Sequence, residues 1–323
     1  MSASTTPSAA GEPLLVLGSR GSPLAMRQSR EVRDRLAAAW PELAGDGAIA
    51  IQEIRTTGDA VRDRPLAEIG GKGLFIKEIE ETLVGRRIDA AVHSMKDMET
   101  GLAPGTVLAA VLPREDPRDA WISPVADRVE DLPQGARIGT ASVRRAAQVL
   151  NRRPDLVVVL FRGNVDTRLR KLAEGEVAAT FLAAAGLVRL GLIERATRIM
   201  EIDEMLPAVA QGAIAVQSRD GSAGMRDARI LRWLSAIDDA PSRARVTAER
   251  TMLATLDGSC RTPIAGHATI VGDELHLRGL VLSLDGRDSY GAARTGRVGD
   301  AVDVGTAVGE AILARCGRGF LAR

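Results

Sequence analysis

The chain has 323 residues, 45% of them hydrophobic, and its 43 basic and 42 acidic side chains leave a formal net charge of +1. That balance excludes a globally basic nucleic-acid binder, and two cysteines, Cys260 and Cys316, are too few for a disulfide framework. No run of about 18 uncharged apolar residues offers a membrane span. The opening "MSASTTPSAAGE" lacks the basic start and apolar middle of a secretion signal, so a loose tail and a reducing cytoplasm are expected.

In chain order, short β-rich runs alternate with helical stretches, the pattern of α/β domains with largely parallel sheets. Strands are predicted at 14–18, 49–54, 89–93, 106–112, 136–140, 156–161, 178–183 and 213–217. Ser22 and Pro23 form a cap and first-turn proline for a helix reaching about Trp40, and another helix covers Lys77 to Val84. Two crossings between domains are expected, at "LPREDPRDA" (112–120) and "EMLPAVAQGA" (204–213), with the first domain completed by returning chain. The predicted division is 13–112 with 213–232, then 113–212, then 235–323. The last is a small α+β unit: a helix around "RARVTAERTMLATL", a meander with turns at Gly272-Asp273 and Asp285-Gly286, and a final helix over 301–316. Cys316 on that helix reads as a buried packing residue.

Only four of the basic residues are lysine, so where the arginines fall is more informative than how many there are. Three helix starts pair a polar cap with arginine: Arg20 with Ser22; Thr140 and Ser142 with Arg144 and Arg145; Asn164 with Arg162 and Arg168. Free backbone N–H groups, the helix dipole and a guanidinium all favour a carboxylate or phosphate there, against the simpler reading of capping beside a surface arginine. "EIGGKGLFIKEIE" lacks the spacing of a phosphate loop, since Gly73 and Leu74 follow Lys72; it reads as a flap bearing Lys72 and Phe75, or a plain turn. "VHSMKDM" crowds His93, Ser94, Lys96 and Asp97 at a strand end, where Asp97 is either half of a satisfied ion pair or a carboxylate that steadies a cation. The three histidines show no metal-ligand spacing, and no metal site is expected.

"TLDGSCRTPIAG" sets Cys260 on a glycine-flanked turn beside Arg261, which favours a thiolate. It reads as a structural thiol, as a hydrolase nucleophile lacking a recognisable histidine partner, or as a covalent attachment point.

These stretches, in order from "SRGSPLA" through "AVHSMKD", "GTASVRR", "RGNVDTRL", "AAAGLVRLGL" and "PAVAQGA" to "DGSCRTPIAG", closely resemble the hydroxymethylbilane synthase (porphobilinogen deaminase) family of tetrapyrrole biosynthesis. The resemblance implies two periplasmic-binding-protein-like α/β domains plus a small C-terminal α+β domain. It also implies a dipyrromethane cofactor joined by a thioether to Cys260. Four porphobilinogen molecules would be deaminated and added in turn, and water would release 1-hydroxymethylbilane. By position, Asp97 is the catalytic carboxylate, and Ser22, Lys96, Asp97, Thr140, Ser142, Arg144 and Arg145 hold the cofactor. Arg20, Arg162, Arg168, Arg189, Lys72, Phe75 and Gln211 bind substrate, and Arg20, Arg144, Arg145, Arg162, Arg168 and Arg189 would all serve as bidentate clamps for pyrrole carboxylates. Val16 and Glu68 depart from basic residues frequent in the family, and Ala141 from a serine. A monomer without nucleic-acid or membrane partners is expected; the rival readings are a non-catalytic bilobal protein capturing a small anion, and a thiol hydrolase.

Overall fold

The structure is a computed structural model that describes residues 12–60, 76–222, 224–258 and 262–320. The first sheet orders β2 (Ile49–Ile54), β1 (Leu15–Arg20), β3 (Ala90–Ser94), β10 (Ile214–Arg219) and β4 (Thr106–Val111). In it β1 runs parallel to β2 and β3, whereas β10 is antiparallel to both neighbours. The second orders β7 (Val157–Val159), β6 (Arg137–Gly139), β8 (Ala179–Ala183), β5 (Asp119–Ile122) and β9 (Arg198–Ile199), with β6 parallel to β7 and β8 and β5 antiparallel to both neighbours. The two sheets repeat one plan. In each, the antiparallel member is the strand reached by crossing from the other lobe: β5 on the outward passage, β10 on the return. This is a layout of two α/β lobes, and the third sheet, β11 (Ile264–Val271), β12 (Glu274–Leu282) and β13 (Ser289–Arg297), is an antiparallel meander.

Local sequence explains several helix ends. Ser22 caps α1 (Pro23–Ala39) by accepting the Ala25 N–H, with proline in the first turn. Short α2 (Thr57–Ala60) follows β2, and α3 (Lys77–Val84) precedes β3. Ser142 caps α4 (Val143–Arg152), Asn164 caps α5 (Val165–Ala173), and α6 (Ala184–Leu190) stops at Gly191 in the left-handed conformation. Helices α7 (Met225–Ser235), α8 (Ala240–Thr255) and α9 (Ala301–Cys316) complete the chain. Cys316 is half-buried at the edge of the core and not within it, because it occupies the last turn of its helix.

Apolar alternation decides which face each strand buries. Leu15, Leu17 and Val92 point to the α1 and α7 side, where Val32, Leu36, Ile230 and Trp233 meet them; Ile54 and Ala91 face Ile79 and Leu83 of α3 on the other side. The third domain does not stand apart. Met252, Ile264, Leu277 and Val308 share one core with Met95, Met98, Val111 and Ala215 of the first lobe. Truncating a fully buried leucine such as Leu36 to alanine costs about 2–5 kcal/mol.

The two crossings are stapled together. Glu249 of α8, fully buried, accepts Arg114 Nη1 at 2.7 Å and Nη2 at 3.1 Å, Ala210 N at 2.7 Å and Ala268 N at 2.7 Å. One carboxylate thus joins the outward crossing, the return crossing and the third sheet. Gly212 has φ +90°, and a Cβ there would lie 2.3 Å from the Glu115 carbonyl oxygen, so the chains pass closely only because this residue is glycine.

Candidate active site

The "HSMKDM" stretch becomes the end of β3 followed by a single 3-10 turn, Met95–Asp97. In such a turn residues three apart eclipse, so Met95 and Met98 both sink into the core shared with the third domain. Lys96 and Asp97, between them, remain partly accessible at the strand end. Asp97 Oδ2 faces Arg20 Nη1 at 3.9 Å, and Arg20 closes β1, the strand next to β3. Lys96 Nζ donates to Gln211 Oε1 at 3.2 Å.

Gln211 carries the contact across to the second lobe. Its Nε2 donates to the Pro117 carbonyl at 2.7 Å and to Asp119 Oδ1 at 2.8 Å. Asp119 is completely buried and serves both arginines of α4: Arg144 Nη2 reaches Oδ2 at 2.8 Å and Arg145 Nη2 reaches Oδ1 at 2.7 Å. The other terminal nitrogens go to backbone carbonyls, Arg144 Nη1 to Leu206 and Arg145 Nη1 to Phe181. The two side chains are therefore not the free bidentate clamps expected of them. Two adjacent guanidiniums this deeply buried need a carboxylate of their own, and Asp119 is it.

Electrostatics follow from this packing. Burial opposes the charge of Asp119, but Arg144, Arg145 and the Gln211 amide outweigh it and hold the carboxyl below the usual carboxylate range. Lys96 is pulled down to about 8, chiefly by burial and further by Arg145 and Arg144, against the attraction of Asp97 and Asp119. The cluster of Lys96, Arg144, Arg145 and Asp119 is net cationic. Arg144 Nε and Arg145 Nε are buried without an acceptor in the protein, which leaves unused donor capacity. Arg168 falls to about 10 through burial and through repulsion from Arg145 and Arg162, so these three form a cationic wall.

The remaining expected residues take these positions. Ser22 and Ser142 serve as helix caps, Thr140 Oγ1 accepts the Ser142 N–H at 3.1 Å, and Arg168 Nε donates to the Gly163 carbonyl at 2.9 Å. Arg189 lies at a seam between lobes: its Nε reaches Glu31 Oε2 at 3.4 Å and its Nη2 the Gly212 carbonyl at 3.0 Å. Lys72, Phe75 and Cys260 lie outside the described residues. Asp119 escaped sequence reasoning, although "REDPRDA" contains it; the signal was a buried acid just after a crossing, opposite two consecutive arginines. A cavity of about 400 Å³ behind α4, bordered by Asn151, Arg152, Asp203 and Arg278, contains none of the expected site residues.

Residues 15–227 match the family model "Porphobilinogen deaminase, dipyromethane cofactor binding domain", and residues 243–314 match "Porphobilinogen deaminase, C-terminal domain". The chain is 54% identical over 307 residues to a porphobilinogen deaminase of Nitrobacter hamburgensis, covering 95% of each. It is 53% identical to that of Paracoccus denitrificans (94% of this chain, 95% of the relative) and 50% identical to the chloroplastic one of Oryza sativa (95% and 85%). A periplasmic substrate-binding protein from Coxiella burnetii superimposes with a TM-score of 0.41 at 14% identity, over 69% of this chain and 93% of that one, which is too loose to bear on function. With both halves matched and half or more of the aligned residues identical, the chain belongs to the porphobilinogen deaminase family.

Proposed function

We propose that the cleft between the two lobes makes hydroxymethylbilane, by stepwise deamination and head-to-tail joining of four porphobilinogen molecules followed by hydrolytic release. The observation that carries this reading is the network from Lys96 through Gln211 to Asp119, Arg144 and Arg145, with Asp97, the residue after Lys96, facing Arg20 beside it. It sets one carboxylate beside a reservoir of buried positive charge, which suits a substrate that is acidic at its edges and becomes cationic at its centre.

The residues present fit a dipyrromethane cofactor. Its acetate and propionate groups require cationic partners, and Arg144 and Arg145 have N–H groups that the protein leaves unmatched. Lys96, Arg144 and Arg145 would hold those acids, with Ser22, Thr140 and Ser142 adding hydroxyls and Cys260 the covalent tether. When bound, the cofactor supplies the nucleophilic pyrrole end on which the chain grows.

Asp97 has the catalytic role. As the aminomethyl C–N bond of porphobilinogen breaks and ammonia leaves, positive charge spreads over the pyrrole ring; the Asp97 carboxylate accepts the ring N–H and offsets that charge. Arg20, 3.9 Å from it, orients the carboxylate and meets a substrate acid. Arg162 and Arg168 extend the cationic wall for later rings, with Lys72, Phe75, Arg189 and Gln211 as further substrate contacts. The working units are residues 13–112 with 213–232, 113–212 and 235–323. Among the described residues no helix is long and apolar enough to cross a membrane, and we assign the protein to the cytoplasm as a monomer.

Asp97→Asn tests the assignment: it keeps the covalent cofactor but nearly abolishes porphobilinogen consumption. Turnover at the wild-type rate by that variant would remove Asp97 from the mechanism.

A further inference from the structure

Arg189, in the last turn of α6, is a cation of the second lobe whose nearest carboxylate belongs to the first. Its side chain is 7% exposed and its anionic partner is Glu31 of α1. Burial pulls its pKa down, and the charges of Glu31 and Glu115 oppose that pull. A guanidinium so placed requires an anion, yet the one it has is weakly held. The Nε–Oε2 separation is 3.4 Å, Glu31 is 27% exposed, and its other oxygen is engaged by Arg35 through Nε and Nη2, each at 3.3 Å. Around this pair α6 and α1 lie side by side, with room for no more than a methyl group in ordinary contact: a Cβ on Gly186 of α6 would lie 3.6 Å from Leu24 Cδ2 of α1. The Glu31–Arg189 contact is thus a bridge between lobes that water and a competing cation both weaken.

We propose that Glu31 is a positioning residue that acts as an internal stand-in for a substrate carboxylate at Arg189, tying α1 to α6 until a pyrrole acid displaces it. The inference rests on the reading that the chain condenses porphobilinogen and that Arg189 receives one of its acids. Displacement is an exchange of one carboxylate for another at the same guanidinium, so Arg189 never loses its counter-charge. The bridge raises the substrate concentration needed to engage Arg189, and Arg35 moderates it by drawing Glu31 the other way.

Two variants of partly exposed side chains, both assayed at a temperature where circular dichroism shows each fully folded, test this by steady-state kinetics at low ionic strength. Glu31→Gln removes the competing charge and is expected to lower the KM for porphobilinogen by about two- to fivefold, the value of a surface ion pair, with kcat moving less. Arg35→Gln leaves Glu31 wholly to Arg189 and is expected to raise KM by about twofold. Unchanged KM in Glu31→Gln, or both variants shifting KM in one direction, overturns the proposal. A wild-type protein that consumes no porphobilinogen overturns the family-based reading instead.

Discussion

Lys96 offers a quantitative test of how the site is built. Its ammonium is half-buried next to two guanidiniums, and burial, the largest cause, brings its pKa from 10.5 to about 8. A lysine whose folded pKa is depressed destabilises the fold wherever it is charged: the full penalty operates below pH 8 and is relieved as pH rises from 8 toward 10.5. At 1.36 kcal/mol per unit the ceiling is about 3 kcal/mol, lowered by the water that still reaches the ammonium. In a Cys260→Ser chain, which carries no tethered cofactor, Lys96→Met should therefore raise stability at pH 7 by up to about 3 kcal/mol. The gain should shrink at pH 10. In the cofactor-bearing protein the sign reverses, because cofactor carboxylates make the charge favourable. Urea unfolding of the four proteins at both pH values measures this. If Lys96→Met destabilised the Cys260→Ser chain at pH 7, the reasoning that burial dominates at this lysine would be wrong.

Other expectations follow from single contacts. His93 is buried and held neutral, its pKa lowered to about 4 mainly by burial, although Gln217 favours the charged form. Its contribution is complete above pH 6.5 and is lost as pH falls toward 4, so at pH 5 the wild type should lose about 2 kcal/mol more than His93→Gln, as read from urea midpoints; parallel losses would contradict it. Glu249→Gln unpairs Arg114 at the crossing and should cost about 3–5 kcal/mol, with Arg114→Gln/Glu249→Gln losing less than the sum of the single variants. Additive losses would mean the staple is not a unit. Gly286, with φ +74°, sits against the end of α4: Asn151 Nδ2 donates to its carbonyl at 2.7 Å, and an added Cβ would lie 2.5 Å from Asn151 N. Gly286→Ala should speed hydrogen exchange at residues 147–152 of α4 and in the 283–288 turn; unaltered exchange would show that this turn does not dock the third domain.

Much of this architecture was legible because it is written locally. Strand β2 and helices α3 and α9 fall at the expected residues, since β-branched runs and apolar residues at helical spacing act within a few positions of themselves. The "HSMKDM" turn was legible for the same reason. β5 and β9 were not expected: the first is four residues next to a proline-rich crossing, the second only two, and each is a strand by virtue of its neighbours. The site's charge partners were less visible still. Arg144 and Arg145 looked like open clamps because their counter-ion, Asp119, lies on another element, and Arg114 meets Glu249 from 135 positions away. Sequence shows which residues carry charge; folding decides which charges are already matched and which retain capacity for a ligand.

The central claim is that the cleft works on a primer held by Cys260, and the intact mass of the denatured protein tests it most directly. The account predicts an excess equal to one dipyrromethane unit in the purified protein, rising by further pyrrole units under limiting porphobilinogen, and absent in Cys260→Ser. An unmodified mass in protein that turns over porphobilinogen at full rate would contradict it.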